Sequence, residues 1–286
     1  MKILLMSDFG LHHTPGGAQR SNEIIVNEGR ARGHEISVFH YDSPLRLLEG
    51  KYDYVITSNL EAIYSRYGRI VDFICQFKKH ARLEHDMNMY LSKEDRRKLW
   101  TSCSLAFFLS EFHHERFIES YGDYFVNVRI VPDPIDASFR DFGQERRDVT
   151  LYAGFMHPLK GTSEFLRYVD QNPDEDFIAA VWGSEEYLNE IRKRPNIDFI
   201  GVVKYEDMPN LYNSISRMYY TPVCYEPFCR SVGEAIMCGV KQLICNNKIG
   251  SLDMYLKDRD GFSNKCINAA KTFWETIEND FNTVSN

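Results

Sequence analysis

Short apolar runs alternate with longer amphipathic stretches along this chain. The first run, from residue 2, stops at Ser7-Asp8 and has the length of a buried strand. A glycine-containing loop, residues 10–17, leads into a helical pattern over about 18–32 that closes at Gly33, where a helix C-terminal glycine belongs. A strand pattern resumes at once over 34–39. Strand, loop, helix and strand in this order open a parallel α/β domain. Further strands are expected over 52–57, 81–86, 105–109 and 128–131, with helices over 60–73, 93–100 behind a Ser92 N-cap, and 111–121 behind a Ser110 N-cap.

Regular structure then stops at Pro132-Asp133-Pro134-Ile135-Asp136, and the polar stretch 141–148 follows. The linker is expected between about 135 and 148. A second alternating series starts at 149–154, with strands over 177–182, 197–203, 217–221 and 241–245 and helices over 163–169, 185–192, 207–215 and 231–238. A terminal helix is expected over 268–281. The expectation is an α/β protein of two Rossmann-like domains, 1–140 and 141–270, with a C-terminal helix over 271–286 that crosses back to the first domain. Two consecutive domains of this kind imply parallel sheets facing a cleft, because open parallel sheets bind ligands beyond their strand ends.

Composition narrows the class. A 43% apolar and 26% charged chain of 286 residues is long enough for two cores. The net charge of −7 and the pI near 5.8 argue against broad nucleic-acid binding. Seven cysteines without a CxxC pair or a compact Cys/His cluster suggest reduced core thiols and no zinc site; no cofactor is expected. The N-terminal apolar run is too short for a signal peptide and no later segment has membrane-spanning length, so a cytoplasmic protein is expected. Lys78-Lys79-His80, Arg82 and Arg96-Arg97-Lys98 make the middle of the first domain locally basic, which reads as solvated helix charges or as a face for peripheral contact with an anionic membrane or a phosphorylated lipid acceptor.

The chemistry concentrates in Tyr225-Glu226-Pro227-Phe228-Cys229-Arg230-Ser231-Val232-Gly233-Glu234. A helix starting near Cys229 would aim its first amides and its positive dipole end where Glu226 faces, an arrangement suited to an anion bearing hydroxyls. Glu234, two helical turns after Glu226, would share its helix face.

Four features in order make the chain resemble the retaining nucleotide-sugar glycosyltransferases of family 4, with the GT-B fold. They are the Gly16-Gly17-Ala18 loop before a helix ending in Arg32-Gly33-His34-Glu35, an exposed His85 after a strand, Lys160-Gly161 after Gly154, and Glu226 to Glu234. The resemblance covers most of the chain. It implies sugar transfer from a nucleotide diphosphate sugar, UDP- or GDP-linked, to a glycan or to a lipid-linked or protein-linked glycoconjugate, with retention and without a metal. It implies catalytic roles for His85 beside the donor sugar, for Lys160 on the diphosphate and for Glu226 on sugar hydroxyls. Donor contacts would come from Gly16, Gly17, Arg230, Glu234 on the ribose, and the amides of Phe228 and Cys229. The family usually has an arginine after the glycine at 154, and Phe155 stands there instead. Arg230 either supplies that guanidinium or is a surface arginine; His157 reads as a loop histidine. Asp86 could orient His85 or contact the acceptor. A catalytically silent sugar-nucleotide-binding protein, and an epimerase or phosphorylase of the same fold, are the alternatives. His12-His13 and His113-His114 are adjacent pairs whose side chains do not easily share a metal, the first read as acceptor-loop residues and the second as helix surface. Asp174-Glu175-Asp176 and Asp258-Arg259-Asp260 read as solvated turns.

Overall fold

A computed structural model describes residues 1–14, 16–87 and 90–283. In chain order the elements are β1 (Lys2–Met6), α1 (Gly17–Ala31), β2 (Glu35–Phe39), β3 (Tyr54–Thr57), α2 (Glu61–Arg66), α3 (Ile70–Ile74), β4 (His80–Leu83), α4 (Lys93–Ser102), β5 (Leu105–Phe108), α5 (Glu111–Tyr121) and β6 (Val128–Ile130). They continue as β7 (Arg147–Met156), α6 (Thr162–Gln171), β8 (Phe177–Gly183), α7 (Glu185–Arg192), β9 (Ile197–Phe199), α8 (Met208–Ser214), β10 (Ile215–Tyr220), α9 (Arg230–Met237), β11 (Gln242–Cys245), α10 (Gly250–Lys257), α11 (Arg259–Ile267) and α12 (Ala269–Asn282). The chain forms two compact units, one of residues 1–134 with 264–286 and one of residues 135–263.

The first unit holds a six-stranded parallel sheet in the order β2-β1-β3-β4-β5-β6. Its central strands are buried on both faces, as parallel strands flanked by helices must be. The apolar face of α12 packs on α1: a Cβ on Gly29 would lie 2.3 Å from the Trp274 ring, and Trp274 Nε1 donates to the Ile25 carbonyl at 2.7 Å. Only glycine permits that approach. Glu278 accepts from Arg32 at 2.8 Å and lies 2.9 Å from His34 Nε2, so charge pairing flanks the same contact.

The second unit holds a five-stranded parallel sheet, β11-β10-β7-β8-β9. Tyr152 of β7 stacks on Phe165 of α6 at 4.3 Å, fixing the first helix over the sheet. In each sheet the strand order reverses direction beside the first strand of its unit, between β1 and β3 and between β7 and β10. A topological switch point splays the loops leaving the carboxyl ends of two neighbouring strands and opens a crevice there.

Several boundaries differ from the pattern in the sequence. The helix over 60–73 divides into α2 and α3 at a turn through Gly68, a residue that weakens a helix interior. The strand expected over 197–203 ends at Phe199, and Gly201 turns the chain with φ +69. Residues 250–267, to which the sequence pattern assigns no element beyond a turn at 258–260, form α10 and α11. Asp258 lies at their junction, with its Oδ1 accepting from the Gly261 amide at 2.9 Å. His80 and Arg82 are buried, so the basic segment around them is not one exposed face.

Candidate active site

In the second unit the chemistry lies at the switch point. After β7, His157 caps a single 3-10 turn, Pro158–Lys160, by accepting the Leu159 amide at its Nδ1 at 3.2 Å. Gly161 ends that turn in the left-handed conformation, φ +81, and starts α6. A Cβ there would lie 2.1 Å from the Thr221 carbonyl oxygen at the exit of β10. Glycine thus lets the two loops touch, and Lys160 reaches across the switch point to Glu226.

Lys160 Nζ donates to Glu226 Oε1 at 2.6 Å. The same oxygen is 3.4 Å from the Tyr220 hydroxyl. Glu226 is held by its backbone, which pairs in parallel with Ile249: its amide donates to the Lys248 carbonyl at 2.8 Å and its carbonyl accepts from Gly250 at 3.0 Å. It therefore lies outside α9, which corrects the expectation of two carboxylates on one helix face. Its carboxylate is buried while the lysine is partly exposed.

Helix α9 begins at Arg230. Cys229 before it has φ +68, the one positive φ on a non-glycine residue among the described residues, and such a conformation costs about 1–2 kcal/mol. Burial pushes the Cys229 thiol well above its ordinary pKa, so this is no thiolate nucleophile. Phe228 packs beneath the helix; a Cβ on Gly233 would lie 3.0 Å from its ring and 3.1 Å from Ile135. Arg230 is buried, which overturns the surface reading. Its Nε donates to Glu234 Oε1 at 3.2 Å and its Nη2 to the Tyr205 hydroxyl at 2.8 Å. The i, i+4 spacing places Arg230 and Glu234 on one face. Two carboxylates thus meet two cations in separate pairs, Glu226 with Lys160 and Glu234 with Arg230. Phe155 pairs in register with Trp182 and its ring lies 4.3 Å from the indole, so an aromatic surface occupies the position where an arginine was expected. His157 faces that ring at 5.8 Å.

In the first unit, Gly16 is the N-cap of α1 and Gly17 its first residue; no side chain caps this helix and its first turn has no acidic residue. Its positive end is therefore not offset by its own first turn. His85 follows β4 but is 7% exposed, correcting the expectation of an exposed histidine. Its Nε2 lies 3.2 Å from Asn22 Oδ1, and its Nδ1 lies 3.7 Å from Asp133 Oδ1. Asn22 Nδ2 in turn donates to Ser7 Oγ at 3.0 Å and Ser58 Oγ at 3.3 Å, and Ser21 donates to Asp133 at 2.6 Å. Burial lowers the His85 pKa, with Asp133 opposing, so the ring is neutral near pH 7. Asp86 does not orient it; Asp86 is exposed and bonds Asn59. Asn22 and Asp133 are contributions that sequence reading missed, Asp133 because the Pro-Asp-Pro segment reads only as an end of regular structure. His113, expected on a helix surface, is buried, and burial lowers its pKa to about 3.

Two parallel-sheet Rossmann-like units, each with its polar residues at a switch point, are the architecture of GT-B glycosyltransferases. The family model described as glycosyl transferases group 1 matches residues 135–279, just over half of the chain, and the chain belongs to that family. The fold is similar to that of Anabaena HepE in complex with UDP and glucose, at TM-score 0.69 and 17% identity, covering 100% of this chain and 98% of that one. It is similar to sucrose-phosphate synthase from Thermosynechococcus elongatus, at TM-score 0.69 and 12% identity over 100% and 98% of the two chains. It is also similar to the catalytic domain of starch synthase IV from Arabidopsis thaliana bound to ADP and acarbose, at TM-score 0.64 and 8% identity over 98% and 99%. No curated protein sequence matches the chain at a significant level. Among the described residues no helix is long and apolar enough to cross a membrane.

Proposed function

We propose that the protein moves a sugar, with retention, from a UDP- or GDP-linked donor to a glycan or glycoconjugate acceptor. The observation that carries this reading is the Lys160–Glu226 pair, held across the β7/β10 switch point by loops that touch at Gly161. Breaking the bond from the anomeric carbon to phosphate gathers negative charge on the leaving diphosphate, and a fixed cation lowers the barrier to that. In this reading the diphosphate takes Lys160 from Glu226, and the freed carboxylate accepts sugar hydroxyls. Arg230 adds a guanidinium suited to phosphate oxygens, and Glu234 accepts from the ribose. The amides of Phe228 and Cys229, next to the start of α9, help hold the sugar. In the first unit the uncapped amides at Gly16 and Gly17 suit a phosphate-bearing ligand, and neutral His85 suits a sugar hydroxyl. Lys160 and Arg230 supply the charge that a metal otherwise would. HepE in complex with UDP and starch synthase IV bound to ADP support a nucleotide ligand.

Thermal shift against UDP, GDP and ADP tests the first step, since a ligand specific to the folded state adds about 2.7 kcal/mol at a hundred times its Kd. No shift with any of the three overturns the proposal. One observation favours a second reading, a silent sugar-nucleotide binder: the Phe155–Trp182 stack in place of a cation. Donor turnover with EDTA present, with and without acceptor glycans, decides between them. Binding without turnover selects the silent protein, and donor conversion without acceptor selects an epimerase.

A further inference from the structure

The loop between β1 and α1 and the residues after β2 bring together side chains that the donor site described above does not include. His12, His13 and Asp42 each offer one ligating atom, and the three atoms lie within 4.8 Å of one another. Adjacent histidines converge here because the chain turns on itself: the amides of His13 and Thr14 both bond the Gly10 carbonyl, at 3.0 and 3.3 Å. The two imidazoles lie 3.8 Å apart, which corrects the expectation that they do not easily share an ion. His13 Nε2 is 3.0 Å from Asp42 Oδ2, near the edge of about 3.3 Å of a tetrahedron with zinc bond lengths. His40 flanks both rings at 5.5 Å, and its Nδ1 donates to the Ser7 carbonyl at 2.8 Å. A Cβ on Gly10 would lie 2.8 Å from His40 Nε2 and 2.9 Å from His12 Nδ1, so the imidazoles gather only around a glycine.

We propose that this loop binds one divalent transition metal of the zinc class through His12, His13 and Asp42, with water completing the coordination. Two imidazoles and one carboxylate select zinc and its neighbours over magnesium and calcium, which require oxygen ligands. Without metal, His13 Nδ1 accepts the Gly10 amide at 3.0 Å, so the ring proton sits on Nε2 and bonds Asp42. Metal at Nε2 displaces that proton to Nδ1, with no net proton released by the ring, and the Gly10 contact opens. Binding therefore rearranges the loop that leads to Gly16 and Gly17. This inference is independent of the sugar-transfer reading and assigns the metal no part in that chemistry.

The test is titration of the full chain, without a polyhistidine tag, by zinc chloride against a chromophoric chelator, and by cobalt(II) chloride followed by visible absorption. The expected result is one equivalent of zinc and a cobalt spectrum of four-coordinate intensity. His12→Ala, His13→Gln and Asp42→Asn should each weaken binding at least about tenfold, while His114→Ala leaves it unchanged. His12 is exposed, so His12→Ala keeps the fold even if His13→Gln does not. Failure to compete with the chelator, or unchanged affinity in His12→Ala, overturns the proposal.

Discussion

Replacing Arg230 by methionine should destabilise the second unit by about 3 kcal/mol. Arg230 and Glu234 are 8% and 5% exposed, with Nε and Oε1 separated by 3.2 Å. At an effective dielectric of about 20 their attraction is about 5 kcal/mol, most of it offset by the cost of removing both charges from water. The net worth of the pair is therefore small. Breaking it is different, because Arg230→Met leaves the Glu234 carboxylate buried without this partner, and such a loss costs about 3–5 kcal/mol. Glu234→Met should cost a similar amount by exposing the complementary imbalance. The double variant should cost much less than the sum, giving a coupling of about 2–3 kcal/mol. Urea unfolding followed by hydrogen exchange of peptides from 135–263 isolates this unit, since two units need not unfold in one step. A cost below about 1 kcal/mol for Arg230→Met, or additive single variants, would refute the argument. Arg230→Lys should retain part of the stability, because its ammonium keeps the charge but cannot bond Glu234 and Tyr205 through one planar fork.

Gly161→Ala should cost more than about 3 kcal/mol, since the left-handed conformation and a 2.1 Å approach to the Thr221 carbonyl both oppose a Cβ; near wild-type urea stability would disprove the contact. Glu61 has its pKa raised to about 8 by burial, opposed by Arg82 and aided by Asp8. A carboxyl with a raised folded pKa stabilises fully below the ordinary value of 4.5 and loses that contribution as pH rises towards about 8, at up to about 1.4 kcal/mol per pH unit. His40, His80, His85 and His113, whose pKa values are all lowered, act in the opposite sense around and below 6.5. They do so equally in the wild type and in Glu61→Gln, so the difference between the two proteins isolates Glu61. The stability of the wild type relative to Glu61→Gln should fall from about pH 6.5 to 8; parallel urea midpoints would show that Glu61 does not titrate there. Trp274→Ala should cost about 3–5 kcal/mol and increase hydrogen exchange in α1 and α12 together, whereas exchange confined to α12 would contradict their packing.

The features legible in the sequence are those whose physical cause spans a few residues. Ser92 and Ser110 are readable as N-caps because each accepts an amide three residues on, from Asp95 at 3.1 Å and from His113 at 3.0 Å. Gly33 is readable as a helix stop for the same reason, and it takes φ +85. Helix α11 was missed because it carries no apolar stripe, and the break at Gly68 because the apolar pattern of 60–73 runs straight through it. Burial is the least local property. His85 looks exposed after a polar strand end, yet it is enclosed by Asn22 and Asp133, 63 and 48 positions away, and the sequence contains no sign of either contact.

The segment from Glu226 to Glu234 shows where that boundary falls. Its residue types are local, and the helix start after Cys229 follows from them. The pairing of its charges is not local: Glu226 takes its partner from 66 residues upstream, through a loop contact that exists only because Gly161 has no side chain. Reading both carboxylates as one helix face gives them one shared support, with Glu226 on the sugar and Glu234 on the ribose. The structure separates them, with Glu226 fixed by strand-like pairing to Ile249 and Glu234 by the helix itself. Each cation is therefore positioned by a different element, and a perturbation of α9 should reach Arg230 and Glu234 while leaving Lys160 and Glu226 in register. If both cations hold one diphosphate they share a partner, so variants at Arg230 and Lys160 should weaken UDP or GDP binding by non-additive amounts. Additive losses would mean that the two cations do not meet on the same group of the ligand.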